Sequence, residues 1–239
     1  MNILAIGNSF SQDATRYLHD LAKAAGKDLT VINLYIGGCS LSRHYRNMLS
    51  GERAYQLECN GHRTGFMVSL SEALLNRDWD YITVQQASHD STQYETYQPY
   101  LNELAAYVRR CAPKAKLIVH ETWAYEQNSE RLNVRMGYQD FREMYRDLHA
   151  AYERAANEIH ADGVIPSGAL LTELAAQGYT VHRDTFHASY GLGRYALALT
   201  WLRALTGADV SGIALPAYDE PIAEDALRFV QQTVMKLLP

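Results

Sequence analysis

The chain opens with the run Asn2-Ile3-Leu4-Ala5-Ile6-Gly7, which is followed by the turn Asn8-Ser9-Phe10-Ser11. A short, mostly apolar run bounded by small residues is typical of a strand that is covered on both faces of a parallel sheet. Apolar residues then recur at helical spacing over residues 13–25. This order of strand, tight turn and helix predicts the first repeat of an α/β fold.

The same alternation continues along the rest of the chain. We predict four more buried strands at residues 29–36, 80–86, 116–121 and 163–166, and five more helices at residues 68–76, 97–111, 138–160, 190–206 and 221–237. The interval 42–65 is polar and has no clear periodicity, so we expect an insertion of loop or hairpin there. Because no interdomain linker is visible, a single three-layer α/β/α domain spanning residues 1–239 is the simplest arrangement.

The composition is that of a globular protein of modest charge. The 239 residues carry a formal net charge of −5, and no clustered basic face indicates a nucleic-acid partner. No apolar run approaches the roughly 18 residues that a membrane span needs. Cys39, Cys59 and Cys111 have no paired spacing, so we expect reduced thiols. The first residues read as a strand and not as the apolar region of a signal peptide, so we expect a cytoplasmic protein, with a secreted protein whose signal peptide has been removed as the alternative.

Ligands of open α/β sheets bind beyond the carboxyl ends of the strands, so the residues there are the candidates for a site. Ser9 follows the first strand, where free backbone N–H groups and a helix end would serve both an attacking oxygen and an oxyanion. A helix N-cap is the alternative for Ser9 or Ser11. Gly37 and Gly38 follow the second strand, and they permit either close approach to a ligand or a turn with positive φ. Neither dinucleotide nor P-loop glycine spacing is present.

Two glutamines end the third strand. Gln85 and Gln86 should point to opposite faces of the sheet, because side chains alternate along a strand. An amide at this place is either a hydrogen-bond donor for an oxyanion or a tie between a loop and the sheet. Trp123, after the fourth strand, is either a buried anchor or a wall of a substrate pocket.

The late segment contains Asp184 and His187, three positions apart in a loop before a predicted helix. One hydrogen bond can join side chains at that spacing. The carboxylate would fix the imidazole tautomer and would leave Nε2 free to act as a base.

Three short motifs together resemble the SGNH (GDSL-like) serine hydrolase superfamily. The turn Gly7-Asn8-Ser9-Phe10-Ser11 is similar to the nucleophile block of that family, Gly38 matches its oxyanion glycine, and Asp184-Thr185-Phe186-His187 matches its D-x-x-H pair. Residues 79–88, 164–168 and 187–195 also resemble a largely uncharacterised bacterial subgroup.

The third block departs from the family pattern, which is usually G-x-N-D with an oxyanion-binding Asn. The aligned residues here are Ala87-Ser88-His89-Asp90. Carbohydrate acetylesterases instead carry a W-x-Q-G-E pattern, which residues 84–88 resemble. This second resemblance nominates Gln86 as the third oxyanion donor, whereas simple alignment nominates His89.

The resemblance implies a flavodoxin-like fold with a five-stranded parallel sheet in the order 2-1-3-4-5. It also implies a serine esterase that needs no metal or organic cofactor, with Ser9 as nucleophile, His187 as base and Asp184 as its partner. The backbone N–H groups of Ser9 and Gly38 and the amide of Gln86 would form the oxyanion hole.

The expected substrate is a small-molecule or oligosaccharide ester with a short acyl group, most of all an O-acetyl group on a carbohydrate. Substrate contacts are expected from Asn8, His89, Trp123 and Tyr125. Two alternatives remain open at this point. One is a metal-dependent hydrolase that uses His182, Asp184 and His187, and the other is a sugar-binding module without activity.

Overall fold

A computed structural model describes residues 1–239. Its centre is one seven-stranded sheet in the order β4-β3-β2-β1-β5-β6-β7. The strands are β1 (Asn2–Gly7), β2 (Thr30–Tyr35), β3 (Tyr55–Cys59), β4 (His62–Val68), β5 (Tyr81–Val84), β6 (Lys116–His120) and β7 (Gly163–Ile165).

The five strands β2, β1, β5, β6 and β7 run parallel, and this is the predicted order 2-1-3-4-5. The fold class is therefore confirmed, but the prediction of five strands was wrong. Strands β3 and β4 form a hairpin that pairs antiparallel with the edge of β2. Strand β3 lies within the predicted insertion at 42–65, and β4 begins there and runs past its end. The insertion therefore extends the sheet.

Nine α-helices surround the sheet: α1 (Ser9–Thr15), α2 (Leu18–Ala24), α3 (Leu41–Ser50), α4 (Leu70–Leu75), α5 (Tyr100–Cys111), α6 (Phe141–Glu158), α7 (Ser167–Ala176), α8 (Leu192–Thr206) and α9 (Glu224–Leu237). On one face, α8 packs against α1, α2, α7 and α9. On the other face, α5 packs against α3 and α4, and α6 packs against β6. The layers are therefore those of an α/β/α sandwich.

Three helical predictions differ from the structure, each for a local reason. The first helix begins at Ser9, since Asn8 and not a serine is its N-cap, and it breaks before α2. The sequence pattern did not predict α3, because the buried face of that helix carries the polar residues His44 and Asn47 beside Leu41. It also missed α7, which is apolar around most of its circumference and so has no period to detect.

A single apolar cluster fills the space between the sheet and both helix layers. Strand β1 lies at its centre, with Ile3, Leu4, Ala5 and Ile6 almost completely buried. The strand that carries Ser9 at its end is thus the most enclosed part of the sheet. No helix combines the length and the apolar content needed to cross a bilayer.

Candidate active site

Ser9 occupies the first position of α1, directly beyond the carboxyl end of β1. The turn needs glycine at position 7, because a Cβ atom there would lie 2.3 Å from Ser11 Oγ. Asn8 caps the helix: its Oδ1 accepts from the Phe10 backbone N–H at 2.9 Å, and its own N–H donates to Ser11 Oγ at 3.1 Å. Asn8 therefore stabilises the turn that contains Ser9, and Asn8 is itself almost fully buried.

The loop before α8 brings His187 and Asp184 to Ser9, although Ser9 and His187 are 178 positions apart in the chain. The distance from His187 Nε2 to Ser9 Oγ is 2.9 Å, and His187 Nδ1 lies 2.8 Å from Asp184 Oδ2. A carboxylate can only accept, so the imidazole proton sits on Nδ1 and Nε2 accepts from the serine hydroxyl. This arrangement can activate Ser9 as a nucleophile.

The carboxyl group of Asp184 is kept ionised. Burial raises its pKa, but hydrogen bonds from the His187 ring and from the His187 backbone N–H, at 2.9 Å, outweigh burial and hold the pKa below its ordinary value. An ionised partner can stabilise the imidazolium that forms when the base takes a proton.

The loop that carries Asp184 and His187 is fastened to α1. Its ends pair as an antiparallel bridge between His182 and Ala188, and the Arg183 N–H donates to the His187 carbonyl at 3.0 Å. The Arg183 side chain donates to both carboxylate oxygens of Asp13, at 3.0 and 2.8 Å, and to the Ala188 carbonyl. Asp13 is fully buried and lies on the same helix as Ser9. One ion pair thus fixes the loop that carries His187 relative to the helix that carries Ser9.

Two backbone N–H groups beside Ser9 Oγ have no partner inside the protein. They belong to Ser9 and to Gly38, and both residues line a cleft of about 280 Å³ together with His187. Gly38 has φ of +60°, in the left-handed region that favours glycine. Free donors fixed by the backbone are the groups that stabilise a developing oxyanion.

The prediction of Gln86 as an oxyanion donor is contradicted by its surroundings. Its side chain is completely buried, and its Nε2 donates to the carbonyl and the hydroxyl of Thr96 at 3.1 and 3.0 Å. Its Oε1 accepts from the backbone N–H groups of Leu41 and Ala87, both at 2.9 Å. With every polar atom engaged, the amide ties two loops to the sheet and does not reach the cleft.

Gln85, on the opposite face of the strand, is the glutamine that reaches the serine turn. Its Nε2 donates to Asn8 Oδ1 at 2.9 Å, and its Oε1 accepts from His120 Nδ1 at 2.8 Å. His120 Nε2 then accepts from the Ser167 hydroxyl at 3.0 Å. Burial lowers the pKa of His120 to about 3, so this ring is neutral and serves as a link in a buried network under Ser9.

The four predicted substrate contacts divide into two groups. Trp123 and Tyr125 are each only 1% exposed. Trp123 stacks on Phe10 with ring centroids 4.1 Å apart and donates to the Phe186 carbonyl, so the expected stacking on a sugar is wrong. His89 does line the cleft beside Ser9, and Asn8 lines it from below.

Five further side chains line the cleft that the sequence did not nominate as contacts: Phe10, Tyr35, Ser88, Arg131 and Phe186. The Phe186 ring lies against the His187 ring with centroids 3.8 Å apart and planes tilted by 37°, and the Arg131 guanidinium lies 3.8 Å from the Phe186 ring centroid. The position of Phe186 between two motif residues was a usable signal. Arg131 belongs to an interval without periodicity, and no local pattern distinguished it.

The residues of the alternative metal site do not converge. His182 is half-buried, and its Nε2 lies 3.0 Å from the Ala124 carbonyl, which occupies the ring nitrogen that a metal would need. Burial lowers its pKa to about 4. No cluster of three or more His, Cys, Asp or Glu side chains has the geometry to hold a metal ion. The structure thus contradicts joint ligation by His182, Asp184 and His187.

Comparison with other proteins gives a family and a fold. Residues 2–218 match the family described as "Domain of unknown function (DUF4886)". The crystal structure of a DUF4886 family protein from Bacteroides uniformis is similar over 99% of this chain and 93% of that chain, with 35% identity and a TM-score of 0.92. A search of curated proteins finds no match.

More distant structures share the architecture. A candidate SGNH hydrolase from Slackia heliotrinireducens is 21% identical over 86% of this chain and 98% of that chain, with a TM-score of 0.61. A variant of an acetyl-xylooligosaccharide esterase from Geobacillus is 16% identical over 86% of this chain and 94% of that chain, with a TM-score of 0.56. The chain therefore has the fold found among SGNH and GDSL-like hydrolases.

Proposed function

The chain belongs to the DUF4886 family, and we propose that it is a serine esterase that hydrolyses short-chain acyl esters through an acyl-enzyme on Ser9. The single observation that carries the proposal is the chain of contacts from Asp184 through His187 to Ser9 Oγ, at 2.8 and 2.9 Å. It stands at the carboxyl end of β1, beside two unpaired backbone N–H groups.

In the proposed mechanism, the neutral His187 takes the hydroxyl proton of Ser9 as the serine oxygen attacks an ester carbonyl. The backbone N–H groups of Ser9 and Gly38 stabilise the negative oxygen of the tetrahedral intermediate. The imidazolium then gives its proton to the departing alcohol. A water molecule, deprotonated by the same histidine, hydrolyses the acyl-enzyme and regenerates the free serine.

The lining of the cleft favours a short acyl group and a polar alcohol. Its only apolar side chains of any size are the rings of Phe10 and Phe186, and no Leu, Ile, Val or Met side chain lines it. A long acyl chain would lack apolar surface to cover it. An acetyl-xylooligosaccharide esterase is among the proteins of similar fold. These two observations support O-acetyl groups on carbohydrates as the substrate class.

The first test is hydrolysis of an aryl acetate by the wild type and by Ser9→Ala, His187→Ala and the double variant. Each single change is expected to lower kcat by about 10⁴-fold or more, and the double variant should be little worse, because the members of such a site act as a unit. Ser50→Ala is the matched control, since Ser50 is exposed on α3 and lies outside the cleft.

Two results would contradict the proposal: undiminished turnover by Ser9→Ala, or no hydrolysis by the wild type of any ester in a panel of aryl and acetylated-sugar substrates. The second result would favour the sugar-binding alternative. The panel also tests the acyl group, with kcat/KM expected to fall from acetyl to butyryl and steeply to octanoyl. Equal rates for acetyl and octanoyl esters would exclude the short-chain assignment.

A further inference from the structure

A second cavity adjoins the cleft that contains Ser9. It has a volume of about 320 Å³, and it shares His89 and Arg131 with the first. Its remaining lining is largely polar, with Thr92, Gln93 and Tyr138 among the residues. A substrate that reaches Ser9 would therefore have room for one further polar group beside Arg131.

The electrostatic character of these two cavities is opposite to that of the whole molecule. The chain has a formal net charge of −5, yet no Asp or Glu lines either cavity. The basic side chains that do line them are His89, Arg131, Arg135 and His187. Of these, Arg131 and Arg135 carry a permanent positive charge, which attracts an anionic ligand.

Arg131 is the one arginine of the cleft that no carboxylate neutralises. Arg135 lies 3.3 Å from Glu130, and His89 lies 3.7 Å from Asp90. By contrast, no carboxylate oxygen lies within 4 Å of the Arg131 guanidinium. A half-buried cation without a counter-ion carries a desolvation cost that an anionic ligand would offset.

The guanidinium is also fixed in place. Arg131 begins a π-helical turn, Arg131–Arg135, and its carbonyl accepts from the Met136 N–H at 3.1 Å. The side chain lies 3.8 Å above the Phe186 ring and 5.6 Å from the Tyr125 ring centroid. A guanidinium stacked on an aromatic face keeps its in-plane N–H donors free for a carboxylate or phosphate.

We propose that Arg131 is a specificity-determining residue that binds an anionic group of the substrate, so that the preferred esters are O-acylated sugars bearing a carboxylate or a phosphate. The inference rests on the proposed esterase function, because the anion would be held while Ser9 attacks the neighbouring ester. Arg131 touches the substrate and takes no part in proton transfer. A carboxylate is the better match, since the planar guanidinium can bind it with two parallel hydrogen bonds.

The test compares substrates that differ only in charge: an O-acetylated hexuronic acid against its methyl ester, with an O-acetylated hexose phosphate as the third arm. The wild type is expected to use the acid roughly 10- to 100-fold better than the methyl ester in kcat/KM, which is the range of one charge-assisted hydrogen-bond pair. This preference should fall as ionic strength rises. A higher kcat/KM for the hexose phosphate than for the hexuronic acid would identify phosphate as the anionic group that Arg131 binds.

Arg131→Gln should abolish the preference for the acid, and Arg131→Lys should retain part of it, because lysine keeps the charge but loses the planar pair of donors. Arg228→Gln is the matched control: it removes the same charge from an exposed site on α9 and should retain the full preference. If Arg131→Gln removed only the packing over Phe186, hydrolysis of the acid and of its methyl ester would slow alike, and the ratio of their kcat/KM values would not change.

Equal use of acid and methyl ester by the wild type, or a preference that survives Arg131→Gln, would overturn the proposal. If no ester is hydrolysed at all, titration calorimetry with the free hexuronic acid separates the two failures. Binding to the wild type that Arg131→Gln removes would support the anion site even without esterase activity. Absence of binding would overturn it.

Discussion

Gln86 illustrates how a buried amide can serve stability where its position suggests catalysis. Its four hydrogen bonds satisfy the backbone N–H groups of Leu41 and Ala87 and the carbonyl and hydroxyl oxygens of Thr96. Leu41 begins α3, two residues beyond the cysteine that follows Gly38. The amide therefore holds the loop that presents the Gly38 N–H, and it contributes to the proposed oxyanion hole only through that loop.

We expect Gln86→Ala to lower the free energy of unfolding by about 2–4 kcal/mol, because it leaves several buried polar groups unsatisfied. Because the His89 side chain is exposed, His89→Ala should change the free energy of unfolding by less than about 0.5 kcal/mol, and its kinetic effect should appear mainly in KM. Denaturant unfolding and steady-state kinetics on both variants provide the measurement. A loss of about 10²-fold or more in kcat for Gln86→Ala, without loss of stability, would make Gln86 the donor after all.

At the scale of elements, the geometry of the proposed site depends on how the 182–188 loop is fixed to α1. The contact is made by Arg183 and Asp13 and is continued by Arg194, whose Nε donates to Asp13 Oδ1 at 2.9 Å. Asp13 is fully buried, and its carboxylate accepts hydrogen bonds from both guanidinium groups. Small displacements of a catalytic base are costly, since proton transfer requires hydrogen-bond distance.

Arg183→Gln should therefore lower kcat by roughly 10- to 100-fold, with a smaller change in KM, because the loop can shift His187 relative to Ser9. Arg16→Gln is the matched control: Arg16 pairs with Asp219 in the same ion-pair network but does not touch the loop. It should reduce thermal stability and leave kcat within about twofold. Similar kcat values for Arg183→Gln and the wild type would exclude a positioning role for Arg183.

At the scale of the whole molecule, Asp219 joins segments from both ends of the chain. Its carboxylate pairs with Arg16 after α1 and with Arg194 on α8, at 2.7 Å in each case. Its backbone N–H donates to the Tyr17 hydroxyl at 2.7 Å. Burial raises the pKa of Asp219, but the hydrogen bonds and charges of Arg16 and Arg194 outweigh burial and hold the pKa below its ordinary value.

This lowered pKa predicts a pH-dependent contribution to stability. The contribution is fully present above the pKa of an unfolded aspartate, about 3.9, and is lost as the pH falls through the lower folded value. At pH 7, Asp219→Asn should reduce the unfolding free energy by about 1.5–3 kcal/mol. Thermal melts of both proteins should converge as the pH falls below 4. A constant difference between them across this range would show that the ionised carboxylate contributes nothing specific.

The sequence alone determined the five parallel strands, because short apolar runs alternate with helix-period segments, and its resemblance to the SGNH superfamily supplied their order. It also nominated Ser9, Asp184 and His187. A tight turn after a strand and an Asp–His pair in a loop each involve residues that are close together in the sequence, so both patterns can be recognised without a structure. The structure brings these three residues together at hydrogen-bond distance.

Only the tertiary structure decided which neighbouring side chains face the cleft. Gln85 and Gln86 are identical residues on one strand end, and their roles follow from the face that each occupies and from the partners found there. Trp123 looked available for a sugar until the packing of Phe10 enclosed it, and Arg131 has no motif around it. Contacts between residues far apart in the chain decide burial and pairing, and no local sequence pattern encodes them.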